Sequence, residues 1–242
     1  AKNFGLKVNG DAFLSIAKSM DFSVIRKSQF EVRQLEALFF GQAKLLETEA
    51  QDRYISELIS LYKFLKNKFS LSSDGVLPVH FFRLRPPNFP TIRLAQLAML
   101  YSRHLSLFSS IIEAKSLDQI HTLLEGSTSE FWDTHYNFDK TSKSTPKKLT
   151  KPFINLLVIN TIIPMKFAYN KFNHHSGQED ILEIMRKIPM EHNSIVDKFH
   201  TLYAFGKTSL DSQALIQLKQ IYCSKNKCLQ CAIGSALLNQ NS

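Results

Sequence analysis

The chain has 242 residues, of which 44% are hydrophobic, with only eight glycines and eight prolines. It can therefore bury a substantial core and is neither disordered nor a loop-rich protein stapled by disulfides. Its net charge of +9 permits contact with nucleic acid or another anionic surface. No apolar run reaches the roughly 18 residues of a membrane span. We therefore expect a basic cytoplasmic protein that makes no membrane contact, with three reduced cysteines.

Apolar residues recur at helical spacing along most of the chain, without strand-like alternation. This predicts an all-α, bundle-like domain of about ten helices. Asn9 is the predicted cap of the first helix, and Pro90 the predicted first residue of a helix that runs to Arg103. The apolar stretch Phe153–Met165 predicts a buried helix that ends near Pro164. The other predicted helices lie at 35–46, 54–69, 104–114, 116–125, 129–136, 165–173, 177–187 and 194–205, after the Thr208–Asp211 capping box, and from Asn226 onward.

Two segments interrupt the helical pattern. Residues 70–90 are rich in serine and proline, and a short extended segment is expected near 76–84. Residues 139–151 contain five lysines and no apolar periodicity, which predicts a solvated loop, with phosphate contact as the alternative. This loop is the one candidate subdomain boundary in an otherwise single domain of residues 1–242.

All three cysteines lie within nine residues, at Cys223, Cys228 and Cys231. Their spacing brings three sulfurs together around a turn, which predicts a zinc or iron–sulfur site that needs a fourth ligand from elsewhere. The alternatives are three reduced thiols packed between the last two helices, or a redox pair. Cys228 and Cys231 are expected on one face of the last helix.

A proline-stiffened turn leads into the helix that begins at Pro90. The amides at the start of a helix can bind an anion, and guanidinium groups held by a rigid turn can clamp a phosphate or carboxylate. The alternative is structural, with the arginines bonded to buried carbonyl groups. The candidate anion-binding residues are Arg83, Arg85, Asn88, Arg93, Gln96 and Arg103.

Trp132, Asp133 and His135 form an aromatic–polar cluster just before the lysine-rich loop. A histidine near an aspartate is compatible with acid–base chemistry. Neighbouring aspartate and histidine side chains in one turn also cap each other, and no nucleophile lies nearby in the sequence. The cluster is therefore a secondary candidate.

Several motifs together resemble those of a bacterial family, domain-of-unknown-function family 2851. The resemblance implies no established activity. It implies longer members with an N-terminal part of mixed α/β character that precedes these residues, and Ala1 is neither an initiator methionine nor part of an apolar leader. Catalytic residues are then expected in that part. The motifs are residues 2–13, 36–46, 83–98, 131–136, 159–164 and 212–218.

These observations predict a helical accessory or binding domain that contacts nucleic-acid backbone on behalf of the N-terminal part. The alternative is an enzyme with its own pocket for a small anionic substrate near Arg85, Arg93 and His135. The distribution of charge separates the two: a continuous basic stripe favours the first, and a closed pocket favours the second.

Overall fold

The structure is a computed structural model that describes residues 1–49, 52–174 and 177–239. The described residues form helices and no strand, which confirms the all-α prediction, and residues 76–84 form no strand. The α-helices are α1 (Leu6–Lys18), α2 (Phe22–Ser28), α3 (Val32–Gln42), α4 (Arg53–Phe69), α5 (Pro90–Arg103), α6 (Leu107–Glu113), α7 (Leu117–Leu124), α8 (Lys151–Leu157), α9 (Ile163–Phe172), α10 (Gln178–Lys187), α11 (Ser194–Leu202), α12 (Ser209–Gln217) and α13 (Ala232–Asn239).

The chain divides into two compact units. The first contains residues 1–113 and 120–162, and the second contains residues 114–119 and 163–242. The lysine-rich segment 139–151 lies within the first unit. The prediction of a single domain stays a prediction.

Helix α3 is the centre of the first unit. Leu35, Leu38 and Phe40 are fully buried, and α3 packs against both α4 and α5. A helix buried on almost every side has neighbours on several faces, which explains why α3 lacks a polar face. The neighbouring α4 is amphipathic, and its cap is the Asp52 carboxylate, which accepts a hydrogen bond from the Ile55 amide at 2.9 Å.

Asn9 does not cap α1, contrary to the sequence prediction. The helix begins earlier, at Leu6, after a 3₁₀ turn over Lys2–Gly5, so Asn9 lies inside it. The Asn9 side chain is buried and pairs twice with the backbone of His80. Its Nδ2 donates to His80 O at 2.8 Å, and its Oδ1 accepts from the His80 amide at 2.7 Å. The amide group therefore fixes the 76–84 segment instead of a helix end.

The helix that contains Pro164 continues beyond the proline, which corrects the predicted end. A π-helical turn, Val158–Ile162, joins α8 to α9, and Pro164 is the second residue of α9. The wider turn before the proline changes the local hydrogen-bond pattern and accommodates its missing N–H. The helical stretch Lys151–Phe172 is long and apolar enough to span a membrane. Core helices of globular proteins are often equally long and apolar, and 44% of the apolar window in this stretch is buried.

In the second unit, α12 packs against α10 and α11. The predicted capping box is confirmed, because the Thr208 hydroxyl accepts from the Asp211 amide and the Asp211 carboxylate accepts from the Thr208 amide. Ser209 is fully buried and donates its hydroxyl to Met185 O at 2.8 Å. These bonds fix the start of α12 against the end of α10.

The cysteines precede the last helix, which begins at Ala232 and not near Asn226. Asn226 has a left-handed backbone with φ of 52°, and this conformation ends the preceding 3₁₀ turn. Asparagine tolerates that region better than most residues. Cys228 lies in a separate 3₁₀ turn, Cys228–Gln230, so Cys228 and Cys231 do not share a helix face.

Candidate anion pocket

The proline-rich turn joins directly to the start of α5. Pro86–Asn88 forms a 3₁₀ turn in which the Asn88 amide donates to Arg85 O at 2.8 Å. Pro90 then occupies the first position of α5, as the sequence predicts. This arrangement places Asn88 and the first turn of α5 side by side.

Arg93 is the most constrained side chain of this region. Its Nη2 donates to Asn88 Oδ1 at 2.6 Å, and its Nη1 donates to Gln96 Oε1 at 2.9 Å. The guanidinium carbon lies 3.5 Å from the ring centroid of Phe153, a cation–π contact. Only 6% of the residue is exposed. The turn, the helix and an aromatic ring therefore fix the orientation of the guanidinium group.

The charge of Arg93 has no carboxylate partner among the residues that the structure describes. Its two bonded acceptors are neutral amide oxygens, and its buried Nε has no hydrogen-bond partner within the described ranges. Burial lowers the pKa of Arg93 to about 10. The group still carries its charge at neutral pH, so among the described residues this desolvated cation is offset by neutral acceptors and the Phe153 ring and not by a counter-charge.

Gln96 connects Arg93 to the lysine-rich segment. Its Nε2 donates to Lys147 O at 3.2 Å and to Lys148 O at 3.3 Å. The predicted solvated loop is therefore wrong at Lys147 and Leu149, which are buried, whereas Lys140, Lys143 and Lys148 are exposed. Composition alone could not show that a glutamine on α5 would bind these carbonyl groups.

Lys147 is a second buried cation. Its Nζ donates to Asp133 O at 3.0 Å and to Thr145 O at 2.9 Å, and it lies 4.2 Å from the ring centroid of Tyr136. Desolvation lowers the pKa of Lys147, and the nearby Asp133 carboxylate opposes that effect. Its direct hydrogen-bond partners are neutral carbonyl oxygens.

These side chains line an open pocket of about 240 Å³ at the amino end of α5, which we call the anion pocket. In the part of the chain that the structure describes, three cationic residues and no acidic residue line it. The polar hydroxyl and amide groups in its wall can donate hydrogen bonds to an anion. The lining residues are Pro87, Asn88, Ile92, Arg93, Gln96, Tyr136, Thr145, Pro146, Lys147, Lys148 and Thr150.

The six predicted anion-binding residues do not converge on one place. Asn88, Arg93 and Gln96 line the anion pocket, whereas Arg83 and Arg85 are exposed and outside its lining. Arg103 has a structural contact, since its Nη1 donates to Glu125 O at 2.6 Å near the end of α7. Arg103 therefore matches the alternative in which an arginine bonds to a carbonyl group of the fold. Arg93 makes internal hydrogen bonds and also lines the pocket.

Of the predicted aromatic–polar cluster, His135 belongs to a stack of rings, while its acid–base role stays a prediction. The Phe131 ring lies 4.0 Å from the His135 ring and 3.9 Å from the Tyr54 ring, with almost parallel planes. His135 Nδ1 lies 2.9 Å from Phe131 O. No hydrogen bond joins Asp133 to His135 in the described part of the chain, and neither residue lines the anion pocket.

Sequence reasoning missed a buried carboxyl group on α3. Glu36 is fully buried, and its Oε1 accepts from Ser129 Oγ at 2.6 Å and from Trp132 Nε1 at 3.2 Å. Its Oε2 has no hydrogen-bond partner among the residues that the structure describes. Desolvation raises the pKa of Glu36 despite these bonds. The fully buried Trp132, which also donates to the Tyr54 hydroxyl at 3.0 Å, is thus a structural residue.

Cys223 and Cys228 are exposed and Cys231 is half-buried, all as free thiols. Among residues 1–49, 52–174 and 177–239, no three histidine, cysteine or acidic side chains are grouped so that they could hold a metal ion. The zinc or iron–sulfur hypothesis stays a prediction.

One sequence signal could have located the pocket region. No acidic residue occurs between Asp74 and Glu113, while four arginines do. One of these four is Arg93, whose charge has no carboxylate partner among the described residues.

Comparison with protein families found a match over most of the chain. A family model described as protein of unknown function (DUF2851) matches residues 1–194. The predicted motif at 212–218 and the three cysteines lie beyond the matched residues. No curated protein and no solved structure matches the chain.

Proposed function

Because the chain belongs to the DUF2851 family, whose description assigns no activity, we propose its function from the pocket: it binds a phosphate group of nucleic-acid backbone. The observation that supports this most is the buried Arg93. Its charge lacks a carboxylate partner among the described residues, and it lines a pocket with two further cations. A bound anion would supply the missing counter-charge.

The position of the pocket favours an anion. Asn88 and Ile92 contribute to its wall, so the pocket lies beside the first turn of α5, where the helix dipole adds positive potential. The chain as a whole carries a net charge of +9, which attracts polyanions over longer distances. The chain thus combines long-range attraction with a fixed local site.

The size of the pocket favours one group of a larger ligand. Pockets for complete small molecules measure about 300–1,000 Å³, and the anion pocket measures about 240 Å³. One phosphate with part of its sugar would fill it, while the remaining strand would lie outside. An accessory domain that holds the backbone for a catalytic part elsewhere in the protein is consistent with this.

The alternative of an enzyme with a small anionic substrate shares the same pocket. His135 and Arg85, which that alternative requires, are outside the pocket wall. The lining contains no histidine or carboxylate that could transfer a proton. Backbone binding is therefore the better-supported function, and the alternative becomes an outcome of the test.

The test compares two exposed lysines of the same segment. Lys148 lines the pocket, and Lys143 does not. Lys148→Gln and its matched control Lys143→Gln should both keep the melting temperature of the wild type. Binding would be measured by fluorescence anisotropy with a labelled 12-nucleotide DNA strand, and by calorimetry with pyrophosphate.

We expect the strand to bind the wild type and Lys143→Gln similarly, and Lys148→Gln more weakly by about threefold to tenfold, the loss of one phosphate contact. Pyrophosphate binding without strand binding would replace the proposal with the small-substrate alternative. Equal strand affinity for both lysine variants, or no binding of either probe, would refute an anion site at this pocket.

A further inference from the structure

The segment before the proline turn is fixed at its base and exposed at its tip. Buried Asn9 pairs with both backbone groups of His80, and the Leu77 amide donates to Ser15 Oγ at 3.0 Å. Both anchors belong to α1. A loop held this firmly at one end presents its tip in a defined position.

The tip is a β-turn over Phe81–Leu84, closed by the Leu84 amide, which donates to Phe81 O at 3.2 Å. Phe82 is 77% exposed, and the guanidinium carbon of Arg83 lies 5.1 Å from the centroid of its ring. Arg83 has φ of 61°, the left-handed region that favours glycine at the third position of some turns. The chain thus places an arginine in strained backbone, next to a large aromatic ring in solvent.

This turn is connected to the anion pocket. The Phe81 ring packs edge-on against the Phe89 ring, with centroids 5.2 Å apart. Phe89 is the N-cap residue of α5, and the preceding residue, Asn88, binds Arg93 and lines the pocket. The exposed ring, the exposed Arg83 and Arg85 and the pocket therefore belong to one connected piece of the first unit.

Resting on the proposed function, we propose that Phe82 is a stacking platform for an unpaired base and that the ligand is single-stranded nucleic acid. Stacking on an aromatic ring needs no particular base, and it needs a base whose face is free. Arg83 and Arg85 would contact phosphates beside the stacked base, and the anion pocket would hold another phosphate of the strand. Bases inside an intact duplex are stacked on their neighbours, so their faces are covered.

The test uses Phe82→Ala with Phe64→Ala as the matched control. Phe64 is also exposed, at 59%, and also has a cation near its ring, since Lys68 Nζ lies 5.4 Å from the centroid. It is on α4, away from the proline turn in sequence. The probe is a 12-nucleotide DNA strand with one 2-aminopurine, whose fluorescence falls on stacking, and a duplex of the same sequence is the comparison.

We expect Phe82→Ala to weaken strand binding by at least fivefold and to abolish the protein-induced 2-aminopurine quenching, with little change for Phe64→Ala. Duplex binding should be weaker than strand binding and unaffected by Phe82→Ala. If Phe82→Ala binds the strand like wild type while Lys148→Gln does not, the platform is refuted and the phosphate site stands. If neither variant differs from wild type, both proposals fail.

Discussion

Arg93 donates its Nη1 to Gln96 Oε1 at 2.9 Å, and the same Gln96 side chain binds two carbonyl groups of the lysine-rich segment. One glutamine therefore fixes both the buried Arg93 and the part of the pocket wall that Lys147 and Lys148 form. The anion pocket exists because α5 carries these two residues one turn apart.

Replacing Arg93 should reduce stability. Arg93→Gln removes two hydrogen bonds and the contact with Phe153, and it leaves Asn88 Oδ1 without its donor. We expect a loss of about 2–4 kcal/mol in the free energy of unfolding, measured by urea denaturation. The exposed Arg85→Gln is the control and should change it by less than about 0.5 kcal/mol. An unfolding energy of Arg93→Gln equal to that of Arg85→Gln would show that the buried contacts are not formed.

Gln96 should control the accessibility of the lysine-rich segment to protease. In the wild type, trypsin should cut after the exposed Lys140 and Lys143 and spare the buried Lys147, whose backbone is bonded to Gln96. Gln96→Leu removes those bonds and should add cleavage after Lys147 and Lys148, seen by mass spectrometry of the first fragments. Early cleavage after Lys147 in the wild type would contradict the packed arrangement.

The helices follow from local pattern, and the errors concern features that residue spacing does not encode, such as the partner of Asn9, the continued helix at Pro164 and the left-handed backbone at Asn226. Tyr54, Leu58 and Leu65 recur at helical spacing in the sequence, and this pattern predicts α4. All three are buried, because the apolar residues of such a helix lie on the face that packs against the core. Asn9 resembles a cap in sequence, and only its pairing with His80, 71 residues away, shows its role. Such a partner cannot be inferred from spacing.

The candidate site was predictable in part. The proline turn and helix start identified Arg93 and Gln96, because both signals are local. Lys147 was missed because its burial depends on the carbonyl group of Asp133, 14 residues earlier in the chain, which the fold brings near. Glu36 lies inside an apolar run on α3, and its position on the helix gives no sign of the Ser129 and Trp132 donors.

Glu36 should make stability depend on pH. Its pKa is raised above the ordinary value of 4.5 by burial, so the unfolded chain ionises first as pH rises. Below about pH 4.5, Glu36 is protonated in both the folded and the unfolded chain. Above that pH only the unfolded chain loses this proton, so the folded state loses stability until Glu36 also ionises in the folded protein. Glu36→Gln keeps an acceptor for Ser129 and removes the charge.

We therefore expect Glu36→Gln to become more stable relative to the wild type as the pH rises from about 4.5 to neutral. The measurement is the free energy of unfolding of both proteins, from denaturant titrations at several pH values. Glu31→Gln, at an exposed residue, is the control and should show no such increase. A difference that decreases with pH would mean that Glu36 is stabilised as the ion.

For the cysteine segment we still propose a zinc or iron–sulfur site, formed by Cys223, Cys228 and Cys231. Such a site requires the 3₁₀ turns Cys223–Lys225 and Cys228–Gln230 to bring the three sulfur atoms together. Protein purified without chelator should then contain about one zinc per chain or an iron–sulfur chromophore, and Cys228→Ser should lose it. Metal analysis with thiol titration is the measurement. Two thiols that react rapidly without chelator, as their exposure allows, would contradict bound metal.

The central claim is tested most directly by the salt dependence of strand binding. The logarithm of the association constant would be plotted against the logarithm of salt concentration for wild type, Lys143→Gln and Lys148→Gln, with one 12-nucleotide DNA strand. We predict that Lys148→Gln alone reduces the slope, by about 0.7, the value for one phosphate contact on a single strand. Equal slopes for all three proteins would contradict a phosphate in the anion pocket.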